Sequence, residues 1–233
     1  MLAIDMRSTQ RLVEADDGDR ELVALPAQRT CIHPKFRSEQ HSVDISTVPT
    51  DAESVYPTLN LCSRQIRLFQ LYPRSKAADI QGSFHCVSLE APPAYTALSY
   101  TWGDAIHPRR ITVDSNTTID VRKNLWEFLH QQSSIISEPK LFWIDAICID
   151  QSDIHERNHQ VNLMKQIYIQ ACDVYIWLGV EDDNSNLAVD YILKKGRQRL
   201  RRRGSGYHAF WAREEGKALH ELCERSYWRR MWM

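Results

Sequence analysis

The sequence predicts an α/β fold: a three-layer domain around a mostly parallel sheet, with one antiparallel hairpin. Three observations carry this. The stretch 141–179 reads as strand, helix, strand: an apolar run Leu141–Ile149, an amphipathic stretch from about Ile154 to Cys172, and a second apolar run Val174–Gly179. That spacing makes one βαβ unit. Neither apolar run alternates cleanly, so both faces of each strand are covered, as in a parallel sheet between helix layers. Finally, RRITVD (109–114) and TTIDV (117–121) flank Ser115-Asn116 and read as a β-hairpin.

Taken in order, residues 1–62 form a polar leader. Acidic residues cluster at Glu14, Asp16, Asp17 and Asp19, and no strand or helix period persists, so this stretch is expected to be mobile. Cys31 and His33 lie close together there, but two ligands do not make a zinc site. The ordered domain is expected over 63–233. IRLFQLY (66–72) and IQGSFHCVSLE (80–90) read as two strands or a hairpin, ended by Pro92 and Pro93. ALSYTWGDA (97–105) is a short strand running into a bend at Gly103. Asn124–Gln132 is expected as a helix with Leu125, Phe128 and Leu129 on one side.

In the central unit, Asp153 is placed to cap the helix, with Glu156 three positions on as in a capping box. Val161, Met164, Tyr168 and Ala171 recur at helical spacing and are expected to face the sheet, with Glu156, Arg157, His159 and Lys165 on other faces. Beyond Gly179 come an acidic turn and a helix over Asn186–Lys195 with Leu187, Tyr191 and Ile192 inward. The run KKGRQRLRRRGSG (194–206) is basic but lacks interleaved aromatics, which argues against single-strand nucleic acid binding. A further helix is expected over Trp211–Arg225, with Leu219, Leu222 and Cys223 on its apolar side, before an aromatic segment, SYWRRMWM (226–233).

Composition narrows the function. A chain of 233 residues can bury one good core. Its formal net charge of -1 gives no global field for nucleic acid or membrane. No apolar run is long enough to span a bilayer, and the start lacks a secretory apolar region. Six cysteines are spread along the chain, several within apolar runs, which suggests buried thiols in a reducing compartment. Dinucleotide, P-loop, zinc-protease and serine-hydrolase motifs are absent. Cys148 has His155 and His159 close in sequence, but a nucleophile needs spatial contact, which spacing does not establish.

The candidate site is the bend after the 97–102 strand, with Tyr100, Trp102, Gly103 and Asp104, joined by Asp145. A carboxylate inside the apolar run 141–149 must find donors or change its pKa. Near the carboxyl end of a parallel strand, Asp145 is also placed to line a ligand site beside Trp102 and Asp104. The simpler reading makes Tyr100 and Trp102 packing aromatics and Asp104 an acceptor of turn hydrogen bonds. The residues alone leave both readings open.

As a set, three blocks resemble the fungal heterokaryon incompatibility (HET) domain family. The first is YTALSYTWG (95–103), followed by Asp104. The second is LFWIDAICIDQ (141–151), followed by Glu156-Arg157, Gln160-Val161, Met164, Ile167-Tyr168, Ala171 and Trp177-Leu178-Gly179. The third is Tyr227-Trp228-Arg229-Arg230-Met231-Trp232. The resemblance covers about Ile66 to the end. Asp150 departs from the asparagine usual in the family, and the third block usually continues into Gln-Glu, whereas this sequence stops at Met233.

The resemblance implies a TIR-like, flavodoxin-like fold, since the HET fold is distantly similar to TIR domains, some of which cleave NAD. Ala97–Trp102 and Leu141–Ile149 then correspond to their first two strands. The third block corresponds to the segment before their catalytic glutamate, which falls beyond residue 233. Glu156 is a poor substitute, because a capping role ties it to backbone donors. Two functions follow from the family. One is a cytoplasmic incompatibility and cell-death signalling domain acting through homotypic assembly or contacts with other incompatibility proteins. The other is an NAD-cleaving glycohydrolase, with NAD as substrate at Tyr100, Trp102, Gly103, Asp104 and Asp145. No metal is expected.

Overall fold

The computed structural model describes residues 3–5, 55–75, 78–114, 117–182, 184–193 and 210–229. Strands β1 (Ala3–Asp5), β2 (Gln65–Leu71), β3 (Gln81–Ser88), β4 (Thr96–Tyr100), β5 (Arg109–Val113) and β6 (Thr117–Val121) come first. Helix α1 (Lys123–Ile135), strand β7 (Lys140–Trp143), the single turn α2 (Asp145–Cys148), helix α3 (Ile154–Gln170) and strand β8 (Asp173–Trp177) follow. Helices α4 (Ser185–Tyr191), α5 (Glu214–Cys223) and α6 (Ser226–Arg229) close the described chain.

All eight strands form one sheet in the order β1-β8-β4-β7-β2-β3-β5-β6. The βαβ reading holds: β7 and β8 both run parallel to β4, which lies between them. Crossover through α3 therefore skips one strand. The sheet as a whole is mixed rather than mostly parallel, because three of its seven pairings are parallel and four antiparallel. The extra antiparallel contacts come from β2, which pairs with both β3 and β7, and from β1 on β8. The expected hairpin β5–β6 is present, and of the two readings left open for 66–72 and 80–90 the structure has the antiparallel pair β2–β3.

Several boundaries differ from expectation for identifiable reasons. The apolar run 141–149 is not one strand. It leaves the sheet after Trp143, and α2 closes with Ile147 N and Cys148 N donating to Ile144 O at 3.1 and 2.8 Å. Ile147, Cys148 and Ile149 are as buried as a strand would be, and a short fully buried run carries no period that separates the two forms. The leader contributes β1, three residues too short to show a period. Residues 6–54, including Cys31 and His33, lie outside the described residues, as do the basic run 194–206 and residues 230–233.

Helix α3 is capped by Asp153 as expected, with Oδ1 accepting from His155 N at 2.8 Å and Glu156 N at 3.2 Å, but the expected capping box is not formed, because the Glu156 carboxylate accepts from Arg67 and Asp150 N instead. Its inward face is rotated from the expected one. Glu156, Gln160, Ile167 and Ala171 are buried, Met164 and Tyr168 are half-buried, and Val161 is exposed. Glu156 turns inward because a buried cation waits there, as described below. Similarly, α4 buries Ser185, Ala188 and Tyr191 and leaves Leu187 and Ile192 exposed.

The main core joins the sheet to α1 and α3 through Phe69, Leu98, Phe128, Phe142, Trp143, Ile167 and Trp177. A second small core, built from Leu178, Ala188, Ala218 and Leu222, holds α4 and α5 together just past β8. The cysteines do not follow the buried-thiol expectation. Cys148 is buried, whereas Cys62, Cys86, Cys172 and Cys223 are exposed: Cys62 and Cys172 lie between elements, Cys223 ends α5, and Cys86 sits within β3. Among the described residues, no helix is long and apolar enough to cross a membrane.

Candidate functional site

Strands β4, β7 and β8 run parallel, so their carboxyl ends lie together. In open α/β sheets that end is where ligands collect. Immediately after β4, Trp102 is half-buried, and its indole Nε1 donates to Asp145 Oδ2 at 3.0 Å. The expected pairing of Trp102 with Asp145 is therefore present, with Asp145 held on α2 beyond the end of β7. Gln151 Nε2 donates to the Asp145 carbonyl at 2.9 Å and fixes the turn that follows.

The bend itself is held from below. Gly103 has φ +73°, which favours glycine. Its carbonyl accepts from Arg122 Nη1 at 2.7 Å, and the Arg122 guanidinium lies 5.2 Å from the Trp102 ring centre. Asn124 bridges two strands: its amide donates to Thr101 O, and its Oδ1 accepts from the buried Trp177 Nε1 at 2.8 Å. Asp104 is exposed and accepts from Ile106 N at 3.0 Å, the turn role that the simpler reading assigned to it. Tyr100 is buried in the main core. Of the five candidates, the structure joins Trp102 and Asp145 directly, places Gly103 beside them, and sets Tyr100 and Asp104 to packing and turn duties.

A second cluster braces α2 from the other side. Arg67, fully buried on β2, donates Nη1 to Glu156 Oε1 at 2.8 Å and Nη2 to Glu156 Oε2 at 3.1 Å. It also donates to Cys148 O at 2.9 Å and Pro57 O at 2.6 Å, and stacks 4.9 Å from the Tyr56 ring centre. Glu156 Oε1 accepts from Asp150 N at 2.7 Å. The bidentate pair satisfies a buried charge that would otherwise be prohibitive. Sequence reasoning missed it, although an arginine inside the apolar run 66–72 was the signal that a buried carboxylate must exist.

Asp150 replaces the amide expected there and works as a carboxylate. Burial pushes its pKa up, but hydrogen bonds from the Ser152 hydroxyl and amide, at 2.6 and 2.9 Å, together with nearby Arg67, outweigh burial and hold it below the usual carboxylate range. The Cys148 thiol is pushed up to about 12 by burial. It donates to Phe142 O, while His155 is exposed and His159 half-buried on α3. This thiol is protonated at neutral pH and packs as an apolar group. Among the described residues, no group of three or more His, Cys, Asp or Glu is placed to hold a metal ion.

The aromatic segment after α5 also reaches this end of the sheet. Tyr227 OH and the Ser99 hydroxyl of β4 lie 2.9 Å apart. Arg225 binds Leu178 O, Val180 O, the Asp182 carboxylate and the Ser185 hydroxyl at 2.6–3.1 Å. The first two sequence blocks and Tyr227 of the third thus meet around the ends of β4, β7 and β8. A family model described as heterokaryon incompatibility protein (HET) matches residues 95–233. The chain belongs to the HET family. The HET match begins at Tyr95, just before β4, so it contains the whole strand-end cluster except its brace from Arg67 and Tyr56. Among curated proteins, heterokaryon incompatibility protein 6, OR allele, of Neurospora crassa is 36% identical over 153 residues. That alignment covers 59% of this chain and 22% of the relative, so this HET chain spans about a fifth of the relative's length. No solved structure matches the chain significantly.

Proposed function

We propose that this HET chain is a fungal incompatibility and cell-death signalling domain that works in the cytoplasm through homotypic assembly. The observation that carries the reading is how the strand-end groups are used. The Trp102 indole is spent on Asp145, the Trp177 indole on Asn124, and Arg122 on Gly103 O and the Trp102 ring. A strand end whose polar side chains bind one another is built as a rigid support. Such a support suits a surface that must keep one shape while partners dock. The chain's similarity to a curated incompatibility protein supports the biological setting. A three-layer, TIR-like arrangement belongs to the same proposal, as do contacts with other incompatibility proteins.

The second reading is NAD cleavage. The half-buried Trp102 beside a carboxylate, at the carboxyl ends of parallel strands, is the observation in its favour. Cleaving a nicotinamide–ribose bond develops oxocarbenium-like charge, which a carboxylate stabilises. Asp145 is the carboxylate that this site could set beside NAD, as distinct from the catalytic glutamate that the resemblance implies.

One experiment separates the readings. Nicotinamide release from NAD and solution mass by light scattering are measured on the same preparation, for the chain and for Asp145→Asn. Self-association without turnover supports assembly. Turnover that Asp145→Asn abolishes while the fold survives overturns assembly in favour of catalysis.

A further inference from the structure

We propose that the outer edge of β8 is a strand-exchange site, in which Ala3–Asp5 of one copy pairs with Tyr175–Trp177 of another to give a swapped dimer. The inference rests on the assembly reading and supplies its contact. β8 pairs with β4 over five positions, Asp173–Trp177, but with β1 over three, Tyr175–Trp177. Among the described residues, the outer edge of Asp173 and Val174 therefore carries no strand. An edge of this kind presents unpaired amides and carbonyls that template another strand.

Three features make β1 the element that exchanges. Among the described residues it stands at the end of the sheet order, with β8 as its one strand neighbour, so its departure leaves the other seven strands paired. Its ladder is short, and the connection to β2 runs from residue 6 to residue 64. The same ladder forms whether the strand comes from its own chain or from a second copy. The balance is therefore set by loop closure against protein concentration rather than by contact energy. Exchange is reciprocal and closes as a two-fold dimer.

The acceptor is preformed. β8 is fixed by β4 on its inner side, and Trp177 is anchored to Asn124. The opposite edge of the sheet, β6, is a poorer template. Its exposed Asp120 lies 3.6 Å from Arg110, and an edge charge discourages strand addition. The chain already docks a strand on β8, and it docks none on the outer side of β6 among the described residues.

Ile4 and Ile176 are Cα partners in the ladder, and directly opposed antiparallel residues have Cα atoms about 4.5–5.5 Å apart, within disulfide reach. The test mixes full chains carrying Ile4→Cys with full chains carrying Ile176→Cys, in a background where every cysteine except Cys148 is serine. On oxidation, the expected product is a covalent dimer containing one chain of each kind. Mixed chains that stay unlinked, while the double variant Ile4→Cys/Ile176→Cys closes within one chain, would overturn the exchange. So would failure of both to link. As a second measurement, Ala3→Pro/Ile4→Pro removes whichever amide faces β8, and the solution dimer is expected to become a monomer. Association that survives these prolines overturns the exchange but leaves the assembly reading standing. A wild-type chain that is monomeric at every concentration overturns both.

Discussion

Trp102 and Asp145 share a single hydrogen bond of 3.0 Å at the strand ends, so their contributions are coupled. Trp102→Phe keeps an aromatic ring and removes the donor, and is expected to cost about 1 kcal/mol in urea melts. Asp145→Asn should cost a similar amount. If the bond is structural, the double variant loses less than the sum of the two, a coupling that a double-mutant cycle reads directly. The Arg67–Glu156 pair is a harsher case. Glu156→Ala strands a fully buried guanidinium, and we expect a loss of about 3–5 kcal/mol in the same assay. Tyr95 gives a pH signature. Burial raises its hydroxyl from 10.0 to about 12, and that hydroxyl donates to Ile167 O. A group raised on folding contributes its full stability below the unfolded value and loses it as pH rises through the folded one. Tyr95→Phe is therefore expected to flatten the decline in melting temperature between pH 10 and about 12. At this scale, Trp102 and Asp145 were legible because each was anomalous where it stood. Glu156 was not legible, since its role depends on Arg67, 89 residues earlier in the chain.

The helices α1 and α3 and the β5–β6 hairpin were readable because their signals are local: a cap at Asp153, apolar spacing at Leu125, Phe128 and Leu129, and the polar pair at 115–116. What escaped reading was decided by partners distant in sequence. α3 turned its Glu156 face inward to meet Arg67, and β2 inserted itself antiparallel to β7, which no local pattern specifies. The end of β7 was hidden for another reason, since buried apolar residues continue from strand into helical turn. Register at β2–β3 gives a prediction of its own. A Cβ added at Gly82 would lie 2.3 Å from Phe69 Cζ and 2.5 Å from Gln70 O. The oxygen belongs to backbone and cannot swing away, so Gly82→Ala is expected to cost about 1–3 kcal/mol and to lower the melting temperature. A neutral Gly82→Ala would show that β2 and β3 are not packed as described.

For the whole molecule, the sheet combines a parallel centre, β8-β4-β7, with antiparallel additions on both sides. The parallel centre was legible as a βαβ unit. How the other strands attach to it was not, because β1 is three residues long and β2 pairs with β7 across a large sequence distance. The first two family blocks and Tyr227 of the third converge on the carboxyl ends of that centre, where the side chains bond one another. Next to this support lies an edge, β8, only partly covered by β1. On the proposed assembly reading, this rigid end beside an incompletely paired edge is where a second copy of the chain would dock. Sedimentation velocity over a wide concentration series, without added nucleotide, tests this most directly. Assembly predicts a reversible shift from monomer to dimer or larger species as concentration rises. A single monomeric boundary at every concentration would contradict it.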